Sequence, residues 1–188
     1  MTAVILNDGD LRLRRLRDEP ADYACLAAWL SDPRVLEFYE GRDHPYNYQM
    51  AAEEFNPERM AADGETACII ELAGRPVGYL QFYPTGQDER GEYGLPPGEI
   101  IYGLDLFIGE PGLWGSGLGR RVIKALLAYL FKERAAQRVV IDPHVDNLRA
   151  IRSYEACGFR KVKVLPAHEW HEGRQVDSWL MEICAPAA

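Results

Sequence analysis

The sequence predicts an α/β fold of the mixed α+β kind, one sheet with helices on its faces. Three observations point there. The 188 residues correspond to roughly one domain. With 47% hydrophobic and 27% charged residues, the chain can bury a substantial core and is too apolar for a disordered segment. Short β-rich runs alternate with helical patterns in the order β-α-α-β-β-β-α-β-α-β-β, which fits a mixed sheet better than a purely doubly wound one. One domain is expected over residues 1–188, with 1–10 and 185–188 as frayed tails.

Each element has a local signature. Leu11-Arg-Leu-Arg-Arg15 alternates like a half-buried strand. Tyr23, Leu26, Ala27 and Leu30 then recur at helical spacing within residues 18–30, until Asp32-Pro33 stops the run. A helical stretch is expected over about residues 47–62. Residues 66–72 and 76–83 are β-rich and joined by Ala73-Gly74-Arg75, a hairpin. Residues 84–98 hold four glycines and three prolines among several acids, the composition of a long surface loop. A strand over 99–108 and the glycine-rich 112–119 lead into a helix over about 118–133. Residues 137–142 are a short β-branched run, and 147–157 are helical with Gly158 as the terminal cap. A strand over 159–164, a loop rich in His, Trp and Glu, and a last strand over 176–184 complete the chain.

The charge balance narrows the partners. There are 21 basic and 29 acidic residues, a net −8, so binding to nucleic-acid phosphates or anionic lipid is not expected, whereas a cationic small molecule suits the charge. Cys25, Cys68, Cys157 and Cys184 form no CxxC pair and are expected to be reduced thiols of a cytosolic protein. No stretch reads as a secretion signal or a membrane span. The pair His168 and His171 lacks a third ligand in sequence, so the segment reads as a polar loop and no metal is expected. Phe38, Tyr39, Tyr46 and Tyr48 read as core aromatics, with a sugar-stacking wall as the other use.

Chemistry concentrates in Trp114-Gly-Ser-Gly-Leu-Gly-Arg-Arg121, between a strand and an amphipathic helix. Glycines let a ligand approach the main chain, and the unpaired N–H groups at a helix start favour phosphate, so a pyrophosphate fits there. The segment has neither the Lys-Ser/Thr of a P-loop nor the third glycine of a dinucleotide turn, whose place Arg120 takes, so ATP and NAD are demoted. On spacing alone a plain glycine turn before a structural helix is equally open. Arg120, Arg121 and Lys124 can add cationic contacts or form a solvated face.

This turn resembles the Gln/Arg-x-x-Gly-x-Gly/Ala acetyl-CoA loop of the GNAT N-acetyltransferases. The later Asp142-Pro-His-Val-Asp-Asn-Leu-Arg-Ala-Ile-Arg-Ser-Tyr-Glu-Ala-Cys-Gly-Phe159 resembles that superfamily's terminal helix motif. Together with Tyr102-Gly-Leu-Asp105, these segments are most similar to aminoglycoside 6′-N-acetyltransferases, and the resemblance runs from about residue 11 to 181. Trp114 stands where the superfamily usually has Gln or Arg.

The resemblance implies a central, mostly antiparallel mixed sheet splayed at the acetyl-CoA site. It also implies that acetyl-CoA is held by Phe107, Ile108, Trp114, Gly115, Ser116, Gly117, Leu118, Gly119, Arg120 and Asn147. A main-chain N–H, that of Phe107, would hydrogen-bond the thioester carbonyl. Tyr154 would protonate the leaving CoA sulfur. Asp105 would meet the acceptor amine, as anchor first and base second, because a carboxylate near its ordinary pKa of about 3.9 is a weak proton acceptor. Asp142 would be a second acidic substrate contact. Read from the residues alone, Asn147, Ile151 and Tyr154 share one helix face with Asn147 suited to an N-cap, Tyr154 reads rather as a half-buried core tyrosine, and Asp142 equally as a turn aspartate. Glu92 and Asp177 are further possible acidic contributors.

The expected activity is acetyl transfer from acetyl-CoA to a primary amine, foremost the 6′-amino group of an aminoglycoside, by a monomer or homodimer. A siderophore precursor, a polyamine or a protein N-terminus as acceptor, or a non-catalytic acyl-CoA-binding module, are the alternatives.

Overall fold

A computed structural model describes residues 4–186. It contains eight strands: β1 (Val4–Asp8), β2 (Leu11–Arg15), β3 (Thr66–Leu72), β4 (Arg75–Pro84), β5 (Ile101–Ile108), β6 (Arg138–Ile141), β7 (Arg160–His171) and β8 (Arg174–Cys184). The helices are α1 (Pro20–Trp29), α2 (Pro33–Leu36), α3 (Tyr48–Glu54), α4 (Pro57–Ala62), α5 (Gln87–Tyr93), α6 (Leu118–Glu133) and α7 (Leu148–Glu155). The strands form one mixed sheet in the order β1-β2-β3-β4-β5-β6-β8-β7. The β5–β6 pair is parallel over Ile101–Gly103 and Arg138–Val140, and β5 runs on to Ile108 past its last position paired with β6. The β1–β2, β2–β3, β6–β8 and β7–β8 pairs are antiparallel.

The chain forms two compact units, to which β4, β5 and α6 each contribute a part. The first comprises residues up to Gln81 together with Asp105–Val122. Its core joins Leu26 and Trp29 of α1, and Leu30 just after it, to an aromatic group that includes Tyr46, Phe55, Tyr79 and Phe107. Phe55 and Tyr79 meet edge-on at 5.0 Å, as do Tyr39 and Phe107 at 4.7 Å, so Tyr39 and Tyr46 serve packing. The second unit comprises Phe82–Leu104 and the chain from Ile123 onward. Its core includes Tyr93, Ile101, Val140, Leu165 and Leu180. Ile123, Leu126, Leu127 and Leu130 give α6 the buried stripe expected of an amphipathic helix.

Four sequence expectations are corrected. Residues 4–8 are a strand on β2 rather than part of a frayed tail, because pairing satisfies their backbone groups; residues 1–3, 187 and 188 lie outside the described residues. The helix expected over 47–62 is two helices, because Pro57 lacks an N–H and forces Asn56 into an extended conformation (ψ 118°). Asn47 and Asn56 then cap the two pieces, accepting from the N–H groups of Met50 and of Glu58 and Arg59. The surface loop expected over 84–98 contains α5, closed by Gly94 in the left-handed conformation. The His/Trp/Glu loop is the end of a long β7–β8 hairpin, turned by Glu172 and Gly173, both at positive φ. Among the described residues no helix is long and apolar enough to cross a membrane, and the four cysteines form no disulfide.

Candidate active site

In the first unit, β5 ends in Gly109, a 3₁₀ turn (Pro111–Leu113) follows, and the glycine turn opens α6. Gly115 (φ 77°) and Gly117 (φ 87°) adopt backbone conformations that a side chain would strain, and an added Cβ at either meets nothing within 4 Å. Gly115 and Ser116 are exposed. The Gly117 carbonyl accepts the Arg121 N–H at 3.1 Å, which makes Gly117 the residue before the first helical turn and sets the Gly119 and Arg120 N–H groups at the positive end of a 16-residue helix, while the Leu118 N–H donates to the Ser116 hydroxyl at 3.4 Å. The Ser116 hydroxyl donates to the Leu113 carbonyl at 2.6 Å, bracing the turn from within. This is an open anion cradle made of main chain.

Trp114 contributes differently from the Gln or Arg of the superfamily motif. Its indole N–H donates to the Ile108 carbonyl at 2.8 Å and its ring packs against the core, so it ties the cradle to the end of β5. The Phe107 side chain is buried in the aromatic core. Arg121 ion-pairs with Asp8 and Asp10 at 2.7 and 2.6 Å, holding the Asp10 carboxyl below its usual range. Arg120 and Lys124 are exposed.

Asp105 is half-buried on β5, beside β4. Gln81 donates its side-chain amide to Asp105 Oδ2 at 2.9 Å, and the Tyr79 hydroxyl donates to Gln81 Oε1 at 2.7 Å. Burial pushes the Tyr79 hydroxyl well above its ordinary pKa, so it stays a donor. Residues 79 and 81 lie on one face of a strand, and the period of two places both beneath one carboxylate. Sequence reading missed this relay because neither residue lies near Asp105 in the chain.

In the second unit, Asp142 follows β6, and its Oδ2 accepts from the Tyr93 hydroxyl at 3.0 Å and from His168 Nε2 at 2.7 Å. The other ring nitrogen of His168 meets Glu92 Oε1 at 2.7 Å. The hydrogen bond to Asp142, against the opposing effect of burial, raises the His168 pKa to about 9, and the imidazolium bridges two carboxylates. Burial, joined by Asp142, likewise raises the Tyr93 pKa. Glu92 is thus brought to Asp142 through a histidine that no local pattern places there. Asp177 is employed in structure: its Oδ1 accepts from the Ala167 N–H at 2.8 Å, across the irregular stretch of β7.

On α7, Asn147 is the N-cap, its Oδ1 accepting from the Ala150 N–H at 3.2 Å. Ile151 and Tyr154 are buried on the same face, and the Tyr154 ring lies 5.9 Å from that of Phe159. His168 and His171, read together in sequence, take different partners because positions three apart on a strand face opposite ways.

The profile of the acetyltransferase (GNAT) domain family matches residues 18–166. The chain belongs to the GNAT acetyltransferases. Among curated relatives, this acetyltransferase is 31% identical over 161 residues to the aminoglycoside N(6')-acetyltransferase type 1 of Klebsiella pneumoniae, covering 85% of this chain and 79% of that one. It is 29% identical over 151 residues to the N(6)-hydroxylysine O-acetyltransferase of Escherichia coli, covering 79% of this chain and 46% of that one. Among solved structures, it is similar to the aminoglycoside acetyltransferase AAC(6')-Ib in complex with coenzyme A and kanamycin, with a TM-score of 0.76, 27% identity, and coverage of 93% and 94% of the two chains. The mixed eight-stranded sheet flanked by helices is the GNAT fold.

Gly119 offers a test of the expected cofactor contact that leaves folding intact. It lies in the first turn of α6 with no left-handed strain, and a Cβ there meets no protein atom within 4 Å. Gly119→Ala should leave the melting temperature unchanged or raise it, since alanine favours a helix by about 1 kcal/mol. It should also weaken acetyl-CoA binding about tenfold or more by holding the pyrophosphate off the main chain. Calorimetric titration with acetyl-CoA beside a thermal melt tests both halves; unchanged affinity removes the turn from the cofactor site.

Proposed function

We propose that this acetyltransferase moves the acetyl group of acetyl-CoA to the 6′-amino group of an aminoglycoside, by direct attack in a ternary complex. The observation that carries the reading is Asp105: a half-buried carboxylate on β5, oriented by Gln81 and Tyr79, in the same unit as the open glycine turn. A fixed negative charge suits an acceptor that is a polycation. The relatives named for aminoglycosides support the same choice.

The roles follow the chemistry of acyl transfer. The main-chain N–H groups of Gly115, Gly117, Gly119 and Arg120 cradle the CoA diphosphate, joined by those of Ser116 and Leu118 as they give up their 3.4 Å bonds within the turn, with Trp114 holding the turn and Asn147 setting the start of α7. The free amine attacks the thioester carbon, and the Phe107 N–H steadies the developing oxyanion beside Ile108. The N–C bond forms, the C–S bond breaks with its electron pair on sulfur, and Tyr154 returns a proton to the thiolate. Asp105 anchors the acceptor and, second, takes the proton the amine sheds. Asp142 supplies a further acidic contact, for which an acceptor ammonium competes with His168 on Oδ2. No metal takes part. A cytosolic setting and a contribution to antibiotic resistance belong to the same proposal.

The test is CoA thiol release with kanamycin, tobramycin, spermidine and N6-hydroxylysine as acceptors. Release with the aminoglycosides, and an amide at the 6′ position by mass spectrometry, is expected; no release with them despite measurable acetyl-CoA binding sinks the acceptor. Preference for N6-hydroxylysine would favour the second reading, which the Escherichia coli relative supports. Tyr154→Phe should lower kcat about 10²-fold with little change in the KM for acetyl-CoA, because it removes a proton donor needed only as sulfur leaves. A kcat within twofold of the parent would return Tyr154 to a packing role.

A further inference from the structure

His144, Glu169 and His171 converge within the second unit, and nothing in the acetyl transfer uses them. His144 lies in the turn between β6 and α7, and its backbone pairs with Ser178 of β8. Glu169 and His171 are two apart on β7, so they share a face. His144 Nε2 contacts Glu169 Oε1, and His171 Nδ1 stands 3.9 Å from the same oxygen. The two imidazoles lie edge to face with centroids 4.6 Å apart. One ligand atom from each of the three residues falls within 4.8 Å of the others.

We propose that these three residues form a binding site for a divalent first-row cation, zinc foremost, that clips the 142–147 turn to the β7–β8 hairpin. Two neutral imidazole nitrogens and a carboxylate oxygen are a zinc donor set, with a fourth position for water. In a tetrahedral site with bonds of about 2.0–2.2 Å the donors stand about 3.4 Å apart, so the present spacing needs only small side-chain rotations. Burial separates this cluster from a surface carboxylate group: the histidine side chains are 8% and 7% exposed, whereas Glu169, at 47%, gives an ion its route in from solvent. Beside the cluster, the fully buried Ser178 carries the only buried side-chain oxygen among the described residues without a hydrogen-bond partner, a group that a metal-bound water would satisfy. The ion would be structural and would not enter the reaction. Its segment also carries Asp142 and Asn147, so occupancy would stiffen the start of α7. This inference is independent of which amine is acetylated.

The experiment uses the untagged full chain, stripped with EDTA and exchanged into chelator-free buffer. Titration with Co²⁺ should give the intense visible bands of four-coordinate cobalt at one ion per chain, without the sulfur charge-transfer bands of cysteine ligation, and Zn²⁺ should displace it with a Kd of about 1 μM or tighter. The melting temperature should rise with Zn²⁺. His144→Ala and His171→Ala should each weaken Zn²⁺ binding about 100-fold, whereas His168→Ala, whose ring meets Asp142 and Glu92, should leave it intact. Melts of each variant in EDTA establish that it is folded, and the cobalt spectrum of the parent stands without any variant. A six-coordinate spectrum, cysteine ligation, or stoichiometric binding that survives both histidine substitutions overturns the site.

Discussion

Replacing Asp105 with asparagine should lower kcat/KM for the acceptor by about 10²-fold or more while leaving acetyl-CoA affinity within twofold. The substitution keeps the shape of the side chain and an oxygen for the Gln81 amide, now 2.9 Å from Oδ2, and removes only the charge. Deleting one member of a desolvated charge pair costs roughly 2–5 kcal/mol, which sets the size of the effect. The partition between constants identifies the role: a pure anchor raises the acceptor KM at constant kcat, whereas a base lowers kcat as well. Gln81→Ala should move the same constants in the same direction by a smaller factor, because it loosens the carboxylate without discharging it. Steady-state kinetics with kanamycin, paired with calorimetric acetyl-CoA binding, measures both; unchanged turnover in Asp105→Asn removes this carboxylate from the chemistry.

The largest stability effect should come from Arg14→Ala. Arg14 donates two hydrogen bonds to the Asp22 carboxylate, at 2.6 and 2.7 Å, and a third from Nε to Glu71 at 2.6 Å. The three side chains are 4%, 4% and 9% exposed, and they tie β2 to α1 and β3. Burial pulls the Arg14 pKa down, but the hydrogen bonds to Asp22 and Glu71 outweigh it and hold the guanidinium more basic than usual. Removing the cation leaves two buried carboxylates with only the Arg17 N–H at Asp22 (2.9 Å) and Arg12 at Glu71 (3.6 Å), a loss of about 3–5 kcal/mol, or roughly 6–20 °C in Tm for a chain of this length. Replacing all three residues by apolar ones of similar volume should instead be close to neutral. Thermal and urea melts of the single and triple variants decide this; a single-variant loss below about 1 kcal/mol would show that water reaches the network.

Local patterns made much of this fold legible. The long amphipathic run over 118–133, the hairpin at Ala73-Gly74 and the N-cap at Asn147 each state their structure within a few residues, because periodicity, turn chemistry and capping are short-range effects. The long β7–β8 hairpin was not legible, since polar residues at 168, 169 and 171 look like loop until a partner strand and the β6–α7 turn engage them. In β2 the alternation of Leu11, Arg12 and Leu13 describes a half-buried strand, yet Arg14 is buried because α1 lies over that position.

The same division holds for the site. The sequence alone determined the residue types and spacings on which the proposed site rests: glycines before a helix, an aspartate on a strand and a tyrosine seven positions after an N-cap asparagine. Only the tertiary structure decided who touches whom. It set Gln81 and Tyr79 under Asp105, committed Arg121 to Asp8 and Asp10, and seated His168 between Asp142 and Glu92. Such pairings join residues 24 to 113 positions apart, and the approach of distant side chains is fixed by strand order and packing, which no local pattern encodes.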